Sequence, residues 1–153
     1  MKLDAKASEA YGNWCGPAAV SLITGCSVRD AYSIISKVRP ARFKGRGTRA
    51  GRDKNPFGVS TTWLSELLDA VCALGFEATP SVNLDRKKRY TLAAWLPIRK
   101  NLDEVNLVRV GHHFVVIHGN RLYDNHNPNG VSALTGPCRR RVVTHCYKIE
   151  GKQ

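Results

Sequence analysis

The chain has 153 residues, 42% of them hydrophobic, which lets one domain bury a core without disulfides or a metal ion. Its formal net charge of +12 favours anionic partners such as nucleic acid or acidic protein surfaces. No apolar run is long enough for a signal peptide or a membrane-spanning helix, so we expect a cytoplasmic protein with no membrane partner.

The cysteine content argues against a disulfide framework. The five cysteines are an odd number, and no pair has the Cys-x-x-Cys spacing of a zinc site. We therefore expect reduced thiols and no metal site. Cys26 and Cys72 lie among apolar residues, which predicts that both are small core residues.

The first predicted elements are two helices. The segment CGPAAVSLITG predicts a helix with Pro17 in its first turn and Gly25 at its end. Ser27 is the predicted N-cap of the second helix, because Asp30 follows at the spacing of a capping pair. This helix is expected to end before Pro40.

A basic segment follows the second helix. Residues 39–58 are rich in Gly, Arg and Lys and lack apolar periodicity, which predicts a long loop. The cations between Arg39 and Lys54 suit contact with a nucleic-acid phosphate backbone or an acidic protein surface. A merely solvated surface loop is the alternative interpretation of this charge run.

The remaining residues are predicted to form two helices and a sheet. A long helix is expected from Ser60 or Thr61 to Leu74, and TLAAWLP is a short capped helix. Strands are predicted at GFEATPSV, across VNLVRVGHHFVVIHGNRLYDN with its Gly-Asn turn, and at RRRVVTHCYKI. Helices followed by strands predict one α+β domain over residues 1–153, with an antiparallel sheet packed against the helices.

Cys15 stands directly before Gly-Pro at the predicted start of the first helix. The unpaired N–H groups and the positive end of the helix dipole stabilise a thiolate at that position. The small residues that follow leave room for a substrate carbonyl, and the Cys15 N–H is a candidate oxyanion donor. A packing role for a buried cysteine is the simpler alternative.

A candidate base lies in the second half of the chain. His113 begins a predicted strand, and after the Gly-Asn turn the returning strand brings Asp124 or Asn125 beside it. Because side chains alternate along a strand, only one of His112 and His113 faces the site. Ordinary turn chemistry is the alternative explanation for the Asp-Asn pair.

These residues resemble papain-like cysteine peptidases, most closely the bacteriocin-processing (double-glycine leader) peptidase-like branch. The matching motifs are NWCGPAAVSLITG, GHHFVVI and RLYDNHNP, in the same order as in that branch. The resemblance implies a papain-like fold with Cys15 as nucleophile, His113 as base and Asp124 as the residue that orients it. The whole chain also resembles short papain-fold proteins encoded by phages and prophages, which implies a host cytosolic location.

The oxyanion position departs from the family pattern. Peptidases of this superfamily usually carry a glutamine shortly before the cysteine, and this chain has Glu9 there. A carboxylate at that place repels a developing oxyanion. Asn13 or the Tyr11 hydroxyl is the alternative donor.

The sequence therefore predicts a thiol hydrolase that cleaves a peptide, isopeptide or related amide bond in a peptide or protein substrate. Its Cys-His-Asp mechanism needs no cofactor and no metal. The alternative hypothesis is a catalytically impaired papain-like binding module, whose basic surface between Arg39 and Lys54 engages nucleic acid or a host protein.

Overall fold

A computed structural model describes residues 14–39, 62–81, 84–99 and 101–152. The described residues contain four α-helices: α1 (Cys15–Thr24), α2 (Val28–Val38), α3 (Leu64–Ala73) and the short α4 (Leu92–Trp95). Two 3₁₀ turns flank α4, at Arg86–Lys88 and Leu96–Ile98. The strands are β1 (Phe76–Pro80), β2 (Val105–Val110), β3 (His113–His118), β4 (Arg121–Tyr123), β5 (Val131–Ser132) and β6 (Val143–Gly151).

Local signals set the boundary between α1 and α2, as predicted. Gly25 adopts φ 75°, and its N–H donates to the Ser21 carbonyl at 2.8 Å, which ends α1. The Ser27 hydroxyl accepts a hydrogen bond from the Asp30 N–H at 3.0 Å and so caps α2. Both helix ends are therefore confirmed.

Helix α3 begins later than the sequence predicted. Its first residue is Leu64, whereas the apolar pattern placed the start at Ser60 or Thr61. The Trp63 N–H donates to the Glu66 carboxylate at 3.1 Å, so the chain turns into the helix only after Trp63. The expected face of α3 is otherwise present, with Leu67 and Val71 fully buried.

The strands form one antiparallel sheet in the order β1-β6-β2-β3-β4-β5. This sheet and the helices make the protein an α+β protein, as predicted. Helices α1, α2 and α3 cover one face, where they pack with Leu107, Phe114 and Val116. The opposite face packs against α4 and the 3₁₀ turn after it, through residues such as Val115 and Trp95.

A buried ion pair joins the end of α2 to the start of α3. Arg39 Nη2 donates to Glu66 Oε2 at 3.1 Å, and Arg39 Nε lies 3.0 Å from Glu66 Oε1. Both side chains are almost fully shielded from solvent. Arg39 therefore departs from the expected basic surface, because its charge is neutralised inside the fold; the rest of that segment lies outside the described residues.

None of the helices in the described ranges is long and apolar enough to cross a membrane. The prediction of a single domain over residues 1–153 stays a prediction.

Candidate active site

Cys15 is the first residue of α1, and its side chain is partly exposed. The first hydrogen bond within the helix is donated by the Ala18 N–H to the Trp14 carbonyl, at 3.2 Å. The N–H groups of Cys15 and Gly16 therefore lack helical partners, which is the property that makes a helix start attractive to negative charge. The Phe114 N–H, near the start of β3, also lowers the pKa of the Cys15 thiol.

Gly16 is required by close packing at the helix start. A Cβ atom at this position would overlap the side chain of Thr62, with its Cβ only 2.5 Å away. Thr62, two residues before α3, thus lies directly against the start of α1. A glycine after the cysteine is explained here by this contact.

His113 begins β3 and bridges the thiol and a carboxylate. Its ring is hydrogen-bonded to Cys15, and its Nε2 atom lies 2.8 Å from Asp124 Oδ2. Because Asp124 occupies Nε2, Nδ1 is the ring nitrogen left for the thiol. The neighbouring His112 is exposed in the turn between β2 and β3.

Asp124 follows β4 and is held rigidly in a tight turn. Its Oδ1 atom accepts hydrogen bonds from the His126 N–H at 3.0 Å, the Asn127 N–H at 2.7 Å and Asn127 Nδ2 at 2.9 Å. The side chain is 2% exposed, so these bonds replace the water that the carboxylate loses. One carboxylate oxygen is thus anchored while the other faces His113.

The three side chains shift each other's ionisation. Burial raises the Asp124 pKa, but the hydrogen bonds from His113 and Asn127 outweigh it and lower the pKa overall. The hydrogen bonds with Asp124 and Cys15 raise the His113 pKa to about 9. Burial alone would raise the Cys15 pKa. The opposite effects of His113 and the Phe114 N–H are together larger, so the net shift is downward. The arrangement favours a thiolate beside an imidazolium.

The structure brings together Cys15, His113 and Asp124, which the sequence had linked. Asn125, the alternative orienting residue, is also buried, but its Nδ2 lies 3.3 Å from His126 Nε2. Asp124 is therefore the side chain that is hydrogen-bonded to His113 Nε2. Three side chains were considered for the oxyanion site, and all of them lie outside the described residues: Glu9, Tyr11 and Asn13.

Sequence reasoning missed one cysteine of the site. Cys138 is buried in the segment after β5, where its sulfur, a His113 nitrogen and an Asp124 oxygen all lie within 4.8 Å of one another. This donor set suits Zn²⁺. However, both Asp124 oxygens already accept hydrogen bonds. The positive charge of Arg141 also lies near enough to Cys138 to oppose the rise in pKa that burial causes. We therefore assign no metal to it. No spacing pattern could have revealed this cluster, because its members come from three separate segments.

The prediction about Cys72 is wrong. Cys72 is exposed, because it lies on α3 beyond the buried stripe that contains Leu67 and Val71. The prediction about Cys26 is confirmed in part, since Cys26 is half-buried between α1 and α2 and packs against the core. Burial raises its pKa. The fully shielded thiols are instead Cys138 and Cys146.

The chain matches no protein-family model, no curated protein and no solved structure. The function is therefore inferred from the geometry of the site.

Proposed function

We propose that this protein is a thiol hydrolase that cleaves a peptide, isopeptide or related amide bond. The observation that carries the proposal is the hydrogen-bonded series from Cys15 through His113 to the buried Asp124. In such a series a thiolate is the nucleophile, an imidazolium is the acid, and a carboxylate orients the ring. The papain-like fold is part of the same proposal, supported by a cysteine at the start of a helix that packs on an antiparallel sheet.

The proposed reaction begins with attack of the Cys15 thiolate on the substrate carbonyl carbon. The N–H groups at the start of α1 are positioned to donate to the oxyanion. His113 then gives its proton to the leaving amine as the C–N bond breaks, which leaves an acyl group on the sulfur. Water, deprotonated by His113, attacks this thioester, releases the acid and restores the thiol.

Because Asp124 is anchored by Asn127 and the His126 N–H, it can stabilise the imidazolium without moving. This rigidity matters for catalysis, since a preorganised charge needs no rearrangement when the transition state forms.

A peptide library in water enriched with ¹⁸O tests the proposal without a known substrate. The intact protein is expected to release peptides whose new carboxyl group carries ¹⁸O. Cys15→Ala and His113→Ala should abolish these products, whereas Cys72→Ser, which removes an exposed thiol, should keep them.

Failure to cleave, or cleavage that survives Cys15→Ala, would overturn the hydrolase proposal. A biological effect that persists in Cys15→Ala and disappears on charge reversal between Arg39 and Lys54 would instead favour the binding-module hypothesis.

A further inference from the structure

A cavity of about 220 Å³ opens beside His113. It is lined by His113, Asp124, His126, Asn127, Pro137, Cys138 and Arg141. The volume lies below the roughly 300–1,000 Å³ of pockets that hold drug-sized ligands, so it suits one side chain or one terminal group.

The position of this cavity relates it to the leaving group. Among the described residues, its walls include the base His113 but neither Cys15 nor any other residue of α1. The acyl half of a substrate becomes attached to the Cys15 sulfur, whereas the amine half receives its proton from His113. The cavity therefore adjoins His113, the residue that protonates the leaving amine, without being lined by the helix that carries the acyl half.

The charges around the cavity are mostly positive. Arg141 is exposed at its wall, and Arg140 is exposed in the same turn. Within the described residues, neither guanidinium takes part in a side-chain hydrogen bond or an ion pair. Arg139 differs, because its Nη1 donates to the Thr135 carbonyl at 2.9 Å.

The one acidic group that lines the cavity, among the described residues, does not cancel this charge. The Asp124 carboxylate is buried and accepts hydrogen bonds from His113, Asn127 and the His126 N–H. Among the groups that line the cavity, Asp124 and a protonated His113 have no net charge, since the Cys15 thiolate is not part of its wall. Arg141 is thus left as an uncompensated cation beside a small polar cavity, and a guanidinium fork matches a carboxylate in shape.

We propose that this cavity binds a carboxylate on the leaving-group half of the substrate, with Arg141 as its principal partner. The identification of the bound molecule as a substrate rests on the proposed function. The binding of an anion in the cavity does not require turnover. The carboxylate comes either from an acidic side chain or from the terminal carboxyl group of the leaving peptide.

Alkylation of Cys15 by iodoacetate and by iodoacetamide tests the proposal, since the two reagents differ mainly in charge. Peptide mass spectrometry reads both rates at Cys15 and at the exposed Cys72 of the same molecule, which serves as an internal reference. At low salt the iodoacetate-to-iodoacetamide ratio should be higher at Cys15. Arg141→Gln should lower that ratio about threefold at Cys15 and leave it unchanged at Cys72.

Two further variants separate a specific contact from general charge. Arg141→Lys keeps the cation and should keep most of the ratio. Arg29→Gln removes an exposed cation at the start of α2, roughly 14 Å or more beyond the start of α1, and should leave the ratio unchanged. In 1 M salt the differences should largely disappear.

Protection experiments distinguish the two sources of the carboxylate. Aspartyl-glycinamide presents a side-chain carboxylate, glycylglycine presents a terminal one, and glycylglycinamide presents neither. The dipeptide that fits should slow alkylation of Cys15 by iodoacetamide, and Arg141→Gln should remove that protection.

The proposal is wrong if Arg141→Gln leaves the ratio at Cys15 unchanged, if Arg29→Gln lowers it equally, or if glycylglycinamide protects as well as the acidic dipeptides. Loss of ¹⁸O-labelled products with a normal alkylation ratio would instead count against the hydrolase alone.

Discussion

The Phe114 N–H lowers the pKa of the Cys15 thiol, while the Phe114 side chain is buried in the core shared by the helices and the sheet. One residue thus supports the thiolate and packs the strand that carries His113. Because His113 directly precedes Phe114, the position of the base relative to the thiol is fixed by core packing. This link explains how two distant parts of the chain can hold a hydrogen bond between catalytic groups.

The first prediction concerns the reactivity of the thiol. His113→Ala removes the cation and the hydrogen bond that lower the Cys15 pKa, so the pKa should rise toward that of an ordinary cysteine. Iodoacetamide labelling of Cys15 at pH 7 should then slow on the order of tenfold, because a smaller fraction of the sulfur is thiolate. His112→Ala is the matched control, since that neighbouring histidine is exposed in a turn. Equal labelling rates in all three proteins would contradict the Cys15–His113 pairing.

The second prediction concerns the orienting carboxylate. Asp124→Asn removes the negative charge beside Nε2, so the His113 pKa should fall well below about 9. NMR titration of the imidazole signals measures this change. Hydrolysis should drop on the order of 10²–10⁴-fold, the usual contribution of an acid–base group. Asn125→Ala should have a much smaller effect; a larger one would mean that the wrong residue of this turn was chosen.

The third prediction is a fall in stability at alkaline pH in the Cys15→Ala background, where the His113–Asp124 pair remains and the neighbouring Cys15 thiol is absent. The pKa of His113 is higher in the folded protein than its ordinary 6.5. Asp124 is the largest cause of that rise and Cys15 adds to it, so in Cys15→Ala the pKa stays raised but lies below about 9. The stabilisation is therefore complete below pH 6.5 and is lost as the pH rises through the folded-state pKa of His113. The lowered Asp124 pKa acts at the other end, because its stabilisation is present above pH 3.8 and is lost as the pH falls further.

Urea unfolding at several pH values measures this dependence. Cys15→Ala should lose on the order of 2 kcal/mol between pH 6 and pH 9.5 relative to the double variant that also carries His113→Gln. Parallel pH curves for the two proteins would show that His113 has the same pKa when folded and unfolded.

The fourth prediction concerns the ion pair between α2 and α3. Glu66→Gln leaves the buried Arg39 charge without a carboxylate, which should cost about 3–5 kcal/mol of unfolding free energy. Asp69→Asn, an exposed acid on the same helix, should change it by less than about 0.5 kcal/mol. Replacing both partners, as Arg39→Met with Glu66→Gln, should recover most of the loss, because the amide oxygen that Glu66→Gln leaves can still accept the Trp63 N–H that caps α3. If Glu66→Gln and Asp69→Asn changed the unfolding free energy equally, the Arg39–Glu66 pair would stabilise the fold no more than an exposed ion pair does.

Local signals in the sequence predicted much of the fold. The ends of α1 and the start of α2 depend on Gly25 and Ser27, whose conformations are set within a few residues. The start of α3 was placed too early, because its cap uses the Trp63 backbone and the Glu66 side chain instead of a serine or threonine. Such a cap has no single-residue signature.

The site was predictable only in part. Cys15, His113 and Asp124 carry recognisable local patterns, so they could be named from the sequence. The nearness of Cys138 and Arg141 to His113 depends on how the segment after β5 folds back across the sheet, and no periodicity encodes that contact. The burial of Arg39 was missed for the same reason, since its partner Glu66 lies on a different helix.

The hydrogen bond between α1 and β3 also makes the thiol a reporter of folding. Most of the described chain lies between Cys15 and Phe114, so unfolding separates them and removes the effects of His113 and the Phe114 N–H that lower the Cys15 pKa. Denaturant should therefore slow iodoacetamide labelling of Cys15 at neutral pH while it speeds labelling of Cys138 and Cys146, which become accessible. Opposite responses of cysteines within one molecule would follow the assembly of the site directly, with no substrate required.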